Sequence, residues 1–184
     1  MARNNMDQDI LKVLFTEEEI HRRVEELGAE LYEKFHDTDP LFVGVLNGCF
    51  MFMADLVRAS GLRSELEFIG LSSYRDATKT SGVVQITRDM QRDITGRDLI
   101  IVEDILDSGN TLAFLSKYLM SKGAKSITIA TLLDKPSRRQ KAITADHVGF
   151  VVPDEFVVGY GLDYAQVYRN LPYIGVLKPE VYSK

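Results

Sequence analysis

The chain of 184 residues has no tryptophan, only one cysteine and no long run of apolar residues. A single cysteine cannot form an intramolecular disulfide, so we expect a cytoplasmic protein rather than one of an oxidising compartment. No apolar stretch approaches the roughly 20 residues of a membrane helix, and the N-terminal stretch has no apolar h-region. We therefore expect neither a membrane span nor a signal peptide.

Positive charge is also scarce, because 22 Lys and Arg face 27 Asp and Glu and leave a net charge of −5. Binding to a nucleic-acid backbone needs a dense basic stripe, so we expect no nucleic-acid partner. A small anion is still compatible, since a few backbone amides and one arginine can bind it locally. An apolar content of 45% excludes a disordered chain, and the length fits one domain.

Helical periodicity predicts three helices. The first spans residues 16–36 and opens with the capping-box pattern Thr16-Glu17-Glu18-Glu19. The second spans 49–59, packed on both sides, with Cys49 as a small packing residue. The third runs from 112 to 122 and ends at Gly123, as a C′ glycine would end it.

Short apolar runs predict the strands. They cover residues 41–46, 66–71, 83–87, 99–102, 126–133, 147–152, 156–160 and 175–177. Residues 1–15 are expected to be a lead-in to the first helix, and the polar segment 72–82 a mobile loop. Strands that alternate with helices predict an α/β fold with a largely parallel sheet.

The segment LIIVEDILDSGNT, residues 99–111, carries the strongest chemical signal. An apolar strand ends at Glu103, Asp104 and Asp107, and a small-polar turn then opens a helix. Backbone amides and the helix dipole at such a turn favour a phosphate, at the strand ends where α/β proteins bind ligands. Two adjacent carboxylates would repel that phosphate unless they face ribose hydroxyls or a metal ion. The segment therefore predicts a ribose 5-phosphate site; the alternative is an acidic surface turn that caps the helix.

This segment resembles the phosphoribosyl-pyrophosphate (PRPP) motif of the type I phosphoribosyltransferases. Further similarity over 43–56, 72–75, 132–135 and 153–171 narrows the resemblance to the hypoxanthine(-guanine) phosphoribosyltransferases. It implies the type I phosphoribosyltransferase fold, with a mainly parallel central sheet flanked by helices, as one domain over residues 1–184. A small hood subdomain would come from the N-terminal and C-terminal segments, and a flexible loop would cover about 72–82.

The resemblance also implies roles for the residues of the motif. The 5-phosphate loop corresponds to Asp107, Ser108, Gly109, Asn110 and Thr111. Glu103 and Asp104 correspond to carboxylates that face the ribose hydroxyls and a hydrated Mg²⁺. Asp107 corresponds to the catalytic residue that takes the proton from purine N7, as a positioned carboxylate can. A purely structural cap is the alternative for Asp107.

The pyrophosphate end of the site is implied by two other segments. Asn47-Gly48 matches the family's pyrophosphate loop, in which the peptide before the glycine is often cis. Some members have Lys or Arg at the position of Asn47, so this chain keeps only the backbone amides there. Asp163 corresponds to a ligand of a second Mg²⁺ and Arg169 to the pyrophosphate-binding arginine. A plain strand-to-helix turn is the alternative for Asn47-Gly48.

The base end of the site follows from three further matches. Ser73-Tyr74 resembles a pair in the loop that closes over the site and excludes water. Lys135 corresponds to the donor to purine O6, Phe156 to the aromatic that stacks on the purine, and Val157 to the residue whose backbone contacts its edge. The alternatives are a polar surface loop, a solvent-exposed lysine and ordinary core packing of the aromatic.

Together these implications predict a Mg²⁺-dependent enzyme of purine salvage. It would transfer the phosphoribosyl group of PRPP to N9 of hypoxanthine or guanine, giving IMP or GMP and pyrophosphate. The resemblance also implies a homodimer or homotetramer. Three rivals stay open: a phosphoribosyltransferase that prefers xanthine, a nucleotide-sensing or RNA-binding regulator on the same fold, and a nucleotide-binding α/β protein without transfer activity.

Overall fold

The computed structural model of the protein describes residues 5–76 and 79–183, with side chains for 6–72 and 84–183. The helices are α1 (Glu17–Phe35), α2 (Phe50–Ser60), α3 (Asn110–Ser121) and α4 (Pro179–Tyr182). The strands are β1 (Ile10–Phe15), β2 (Leu41–Leu46), β3 (Glu65–Asp76), β4 (Lys79–Arg88), β5 (Asp98–Leu106), β6 (Ser126–Asp134), β7 (His147–Val151), β8 (Val157–Val158) and β9 (Ile174–Leu177). Short 3₁₀ turns cover Asn5–Asp9 and Pro136–Arg138.

Six strands form the central sheet in the order β4-β3-β2-β5-β6-β7. Every pairing is parallel except that of β3 with β4. The prediction of an α/β fold with a largely parallel sheet is confirmed. The chain moves outward in one direction from β2 and in the other from β5, so a topological switch point lies between these two strands. Ligands of open α/β sheets bind at such a point, beyond the carboxyl ends of the strands.

Alternating side chains of the central strands divide the core into two layers. In β5, Ile100 and Val102 pack with helices α1 and α2, whereas Leu99 and Ile101 pack with helix α3. All four side chains are fully buried. A strand that is buried on both faces reads as a continuous apolar run, which is why the sequence predicted this strand so clearly.

Helix α1 matches its prediction closely. The Thr16 hydroxyl accepts a hydrogen bond from the Glu19 amide at 3.2 Å, and the Thr16 amide donates to the Glu19 carboxylate at 2.9 Å. This reciprocal pair is the predicted capping box. The apolar stripe of α1 is buried against the sheet. Its predicted members are Ile20, Val24, Leu27, Leu31 and Phe35.

A second sheet, in the order β1-β9-β8, joins the two ends of the chain. Strand β1 runs antiparallel to β9, from the pair Ile10–Leu177 to the pair Phe15–Ile174. The predicted lead-in over residues 1–15 therefore contains a strand at 10–15 that the sequence analysis did not predict. The pairing partner of β1 lies at the opposite end of the chain, so no local pattern predicts this strand.

Three other local predictions need correction. Strands β3 and β4 pair through Ser72–Gln85 and Asp76–Lys79, so most of the predicted loop 72–82 has a β-hairpin backbone. Helix α2 buries one face rather than both, since Phe50, Ala54 and Arg58 are exposed. Strand β8 has only two residues, because the backbone turns sharply at Gly159 and beyond. No helix among the described residues is long and apolar enough to cross a membrane.

Candidate active site

A cavity of about 530 Å³ opens at the switch point between β2 and β5. It brings together three segments that lie far apart in the sequence. Of the predicted site residues, it is lined by Asn47, Gly48, Glu103, Asp104, Asp107, Ser108, Gly109, Asn110, Thr111, Asp163 and Arg169. Leu71 and Val84, from the β3–β4 hairpin, also line this cavity. The side chains of Ser73 and Tyr74 lie outside the described residues, so their predicted roles stay untested.

Two adjacent carboxyl groups are buried in the wall of this cavity. Glu103 is only 7% exposed, and its Oε2 atom has no hydrogen-bond partner among the residues described. Burial raises the pKa of Glu103 well above its ordinary value, and the neighbouring Asp104 raises it further. Burial likewise raises the pKa of Asp104, although the charge of Arg169 acts in the opposite direction. Two such carboxyl groups without a cation are electrostatically costly, which indicates that they face a positively charged ligand or hydroxyl donors.

The Asn47-Gly48 turn packs tightly between two other parts of the site. A Cβ atom on Gly48 would collide with the Asp104 carboxylate, and a Cβ atom on Gly161 would collide with the Gly48 carbonyl oxygen. Glycine is therefore required at both positions by close approach. The cis peptide joins Leu46 to Asn47, one bond earlier than the bond that the resemblance implied.

The segment 107–111, which we call the phosphate loop, ends at the N-terminus of helix α3. Gly109 is the N-cap residue of α3, with φ of 82°, and provides no side-chain cap. The first amides of a helix have no acceptor within the helix, so they are available to a ligand. The Asn110 amide lies 3.4 Å from the Ser108 hydroxyl. An anion is thus favoured at this end of the cavity.

Asp107 does not act as a cap of α3, since the N-cap position belongs to Gly109. No capping hydrogen bond from Asp107 is present among the described residues, and its catalytic role stays a prediction. Its Oδ1 atom is buried and finds no hydrogen-bond partner in the part of the chain that is described. A buried, unpartnered carboxylate oxygen in a cavity is a candidate for a proton acceptor.

Asp163 and Arg169 meet in the lining of the same cavity. The Arg169 guanidinium lies 2.7 Å from the Asp163 carboxylate and donates to the Gly161 carbonyl oxygen, also at 2.7 Å. These contacts belong to the tight segment 159–171, where Tyr160, Gly159 and Gly161 all have positive φ. The backbone reverses there and brings both charged side chains back to the cavity.

Lys135 lies in a second cavity of about 280 Å³ that also contains Phe156 and Tyr182. The Lys135 side chain is only 8% exposed, and its Nζ atom donates to the Glu155 carbonyl oxygen at 2.8 Å. Burial lowers the pKa of Lys135, and the nearby charge of Asp107 partly offsets this. The alternative of an ordinary solvent-exposed lysine is therefore wrong.

Phe156 remains partly exposed, at 38%, so it is not a simple core residue. Its ring stacks on Tyr182, with centroids 4.9 Å apart and planes inclined by 23°. A ring that is supported on one side and accessible on another can stack on a planar ligand. Val157, the next residue, is buried in β8 opposite Val176.

The acidic residues fit a cation that arrives with its substrate. Among the described residues, no three acidic, histidine or cysteine side chains converge on a single cation position. Mg²⁺ in phosphate-transfer sites is commonly bound by one or two carboxylates together with substrate phosphates. The unpartnered Glu103 oxygen beside Asp104 matches such a partial ligand set.

Residues that the sequence did not single out also build the site. Arg139 donates to the Asp107 carbonyl oxygen at 3.0 Å. Outside the lining of the cavity, the Tyr160 hydroxyl donates to Asp55 at 2.5 Å and joins the segment 159–171 to helix α2. Arg139 contacts backbone atoms from 32 residues away, and Asp55 lies in an ordinary helical pattern. No local signal in the sequence could have identified them.

Comparison with known proteins agrees with this geometry. Residues 13–165 match the family model described as a phosphoribosyl transferase domain. The hypoxanthine-guanine phosphoribosyltransferase of Bacillus subtilis is 56% identical over 178 residues, which span 97% of this chain and 99% of that protein. The enzyme of the same name from Streptococcus pyogenes serotype M3 is 48% identical over 179 residues, spanning 97% of this chain and 99% of that protein.

The same relationship is found in three dimensions. A crystal structure of a hypoxanthine phosphoribosyltransferase from Staphylococcus aureus matches with a TM-score of 0.95 and 46% identity, and the match covers 100% of both chains. The predicted type I phosphoribosyltransferase fold is thereby confirmed. The chain belongs to the type I phosphoribosyltransferase family and, within it, to the hypoxanthine(-guanine) phosphoribosyltransferases.

Proposed function

We propose that this enzyme transfers the 5-phosphoribosyl group of PRPP to N9 of hypoxanthine or guanine, producing IMP or GMP and pyrophosphate. One observation carries the proposal. The cavity at the switch point combines the phosphate loop, two buried carboxyl groups and an unpartnered Asp107 oxygen, and the buried Lys135 adjoins it. Each of these groups complements a different part of PRPP or of a 6-oxopurine.

The residues at the PRPP end of the site bind three parts of the substrate: the 5-phosphate, the ribose and the pyrophosphate. The amides and hydroxyls of the phosphate loop bind the 5-phosphate, aided by the dipole of α3. Glu103 and Asp104 would accept hydrogen bonds from the ribose hydroxyls and face one hydrated Mg²⁺, and Asp163 would be a ligand of a second Mg²⁺. When bound, Mg²⁺ neutralises the charge that develops on the departing pyrophosphate. The amides of Asn47-Gly48 and the Arg169 guanidinium bind that pyrophosphate.

The base end of the site selects and activates the purine. The Lys135 ammonium donates to O6, which favours 6-oxopurines over adenine, whose 6-amino group would meet the ammonium unfavourably. Phe156 stacks on the ring, and the backbone of Val157 contacts its edge. As N9 bonds to C1′ of the ribose and the bond to pyrophosphate breaks, Asp107 takes the proton from N7. The negative charge of Asp107 also favours the cationic character of the transition state.

Closure and assembly complete the proposal. The sheet β1-β9-β8 would serve as the hood over the base, and residues 72–82, including Ser73-Tyr74, would close over PRPP and exclude water. We further propose a homodimer or homotetramer, a cytoplasmic location and no nucleic-acid partner. The net charge of −5 supports the last of these.

An ultraviolet difference assay tests the proposal directly. The protein is mixed with PRPP and Mg²⁺, and hypoxanthine, guanine, xanthine or adenine is added in turn, with a parallel set in EDTA. We expect turnover of hypoxanthine or guanine that is lost in EDTA. Turnover of xanthine alone would favour the xanthine enzyme, and binding of PRPP without any turnover would favour a regulator.

The role of Asp107 is tested with a matched pair of variants. Asp107→Asn should lower kcat by about 10² to 10⁴, the usual contribution of a positioned general base, with PRPP affinity largely retained. Asp37→Asn makes the same chemical change at a side chain that is 90% exposed and should leave kcat unaltered. Equal values of kcat for the two variants would show that Asp107 takes no part in the reaction.

A further inference from the structure

Three successive carbonyl groups at the start of the phosphate loop are hydrogen-bonded to the segment 135–143. The Lys135 amide donates to the Leu106 carbonyl oxygen at 3.0 Å. The amides of Gln140 and Lys141 donate to the Ser108 carbonyl oxygen at 2.9 and 3.2 Å. The segment thus forms a scaffold along the outer side of the loop.

Arg139 supplies the contacts that the backbone of this scaffold does not make. Its Nε atom donates to the Asp107 carbonyl oxygen at 3.0 Å, and Nη2 lies 3.4 Å from the Leu106 carbonyl oxygen. Nη1 donates to the Ile143 carbonyl oxygen at 2.6 Å, and Nη2 also pairs with the Asp134 carboxylate. The side chain is only 17% exposed. Four acceptors therefore fix one largely buried guanidinium.

Because the peptide group is planar, a contact that fixes a carbonyl group also fixes the direction of the N–H group in the same peptide unit. In a trans peptide the C=O and the N–H of one unit point in opposite directions. When Arg139 holds the Asp107 carbonyl, the Ser108 N–H of the same unit must point the other way. The Gln140 amide likewise sets the Gly109 N–H through the Ser108 carbonyl. Within the described chain, neither of these two N–H groups has a hydrogen-bond acceptor.

We propose that Arg139 is a positioning residue of the phosphate loop. By holding the Asp107 carbonyl, it presents the Ser108 amide to the 5-phosphate and orients the Asp107 residue that bears the carboxylate. The planar fork of an arginine can serve several acceptors at fixed angles, whereas a lysine ammonium cannot reproduce that arrangement. The proposal rests on the proposed function, since it assigns the 5-phosphate to this loop.

Binding of two different fragments of PRPP separates this role from general stability. Titration calorimetry measures ribose 5-phosphate, which needs the phosphate loop, and pyrophosphate with Mg²⁺, which needs the Asn47-Gly48 turn. In Arg139→Met we expect ribose 5-phosphate to bind about tenfold or more weakly, as the loss of a charged hydrogen-bonding group implies, and pyrophosphate affinity to stay within about twofold. In turnover, KM for PRPP should rise more than KM for hypoxanthine.

Other variants keep the test valid if Arg139→Met folds poorly. Arg139→Lys should show the same selective loss, and Asp134→Asn, which only loosens the guanidinium, a smaller one. Arg63→Met removes an arginine that is 92% exposed and should change neither affinity. The circular dichroism melting curve of each variant gives the fraction that is folded.

Two results would overturn the inference. Either unchanged ribose 5-phosphate binding in folded Arg139→Met and Arg139→Lys, or equal losses for both fragments, would show that Arg139 serves the fold alone. A different result would reveal a failure of the proposed function. If the unaltered protein bound no ribose 5-phosphate, the assignment of the 5-phosphate to the phosphate loop would be wrong. The proposed role of Arg139 would then be wrong as well.

Discussion

The carboxylate of Asp104 occupies the place where a side chain on Gly48 would begin. Asp104 cannot easily retreat, because it is part of the buried strand β5 and its Oδ1 atom accepts the Ile105 amide at 2.8 Å. Gly48 is also close to Gly161, because a Cβ atom on Gly161 would collide with the Gly48 carbonyl oxygen. The Asn47-Gly48 turn, the carboxyl pair and the 159–171 segment are therefore packed closely against one another.

Gly48→Ala should disable the enzyme while leaving a folded protein. The added methyl group must displace Asp104 or the turn, and a displacement of about 1 Å in a reacting site can cost about 10²-fold in rate. We expect kcat/KM to fall by about that factor in steady-state assays. Gly96→Ala is the control, since its φ of 71° is strained but no described atom lies within 4 Å of the new Cβ. It should cost about 1–2 kcal/mol of stability and no activity. Comparable activity losses in both variants would contradict this account.

Glu103→Gln should stabilise the ligand-free protein while it impairs catalysis. The substitution removes a buried carboxyl group whose Oε2 atom has no hydrogen-bond partner among the described residues, and it introduces an amide that can donate to Asp104. Relief of such burial is worth about 1–3 kcal/mol, so the free energy of unfolding in urea should rise by that order at pH 7. At the same time kcat/KM for PRPP should fall, because under the proposed function an oxygen that faces Mg²⁺ or the ribose is lost. Glu33→Gln, at an exposed position of α1, should change neither quantity. A less stable Glu103→Gln protein would show that Glu103 supports the fold.

Lys135 should make stability depend on pH at the alkaline end. Burial holds its folded pKa below the ordinary 10.5, so the charged form is disfavoured in the folded protein. The resulting cost is complete below the folded pKa and disappears as the pH rises toward 10.5. Lys135→Met does not carry this cost. Its free energy of unfolding should therefore exceed that of the unaltered protein most near neutral pH, and the difference should shrink as the solution becomes alkaline. Urea unfolding at several pH values measures it, with Lys117→Met on the exposed side of α3 as the control. A constant difference would contradict the burial argument.

Thr16→Ala should weaken the fold without altering the chemistry. It removes the hydroxyl that accepts from the Glu19 amide at the start of α1, and Thr16 lines neither of the two cavities. Loss of an N-cap costs about 0.5–2 kcal/mol, and we expect a value near 1 by urea unfolding. The exposed Thr144→Ala provides the matched control and should lie within about 0.5 kcal/mol of the unaltered protein. Steady-state activity of both should match the unaltered protein; a loss in Thr16→Ala would link the α1 start to the site.

Local pattern was sufficient wherever neighbours in the sequence are also neighbours in space. The capping box, the buried stripe of α1 and strand β2 depend on residues within one turn or one strand, so their positions were predicted closely. Strand β5 was predicted at the right place but too short, because it continues to Leu106 and contains Glu103 and Asp104. The phosphate loop is of the same kind, because one short segment supplies both the strand end and the helix start. Resemblance to a family then extended the prediction to Lys135 and Arg169.

Long-range relationships were beyond the reach of the sequence alone. It could not show that β1 pairs with β9, that Gly48, Asp104 and Gly161 crowd together, or that Arg139 holds the loop that ends at α3. Such contacts depend on strand order, register and the crossing of layers, which a local pattern does not encode. The sequence by itself determined the elements and the chemical groups available to the site. Only the tertiary structure decided which of those groups are buried, which lack a partner and which hold the others in place, because these properties arise from packing between distant segments.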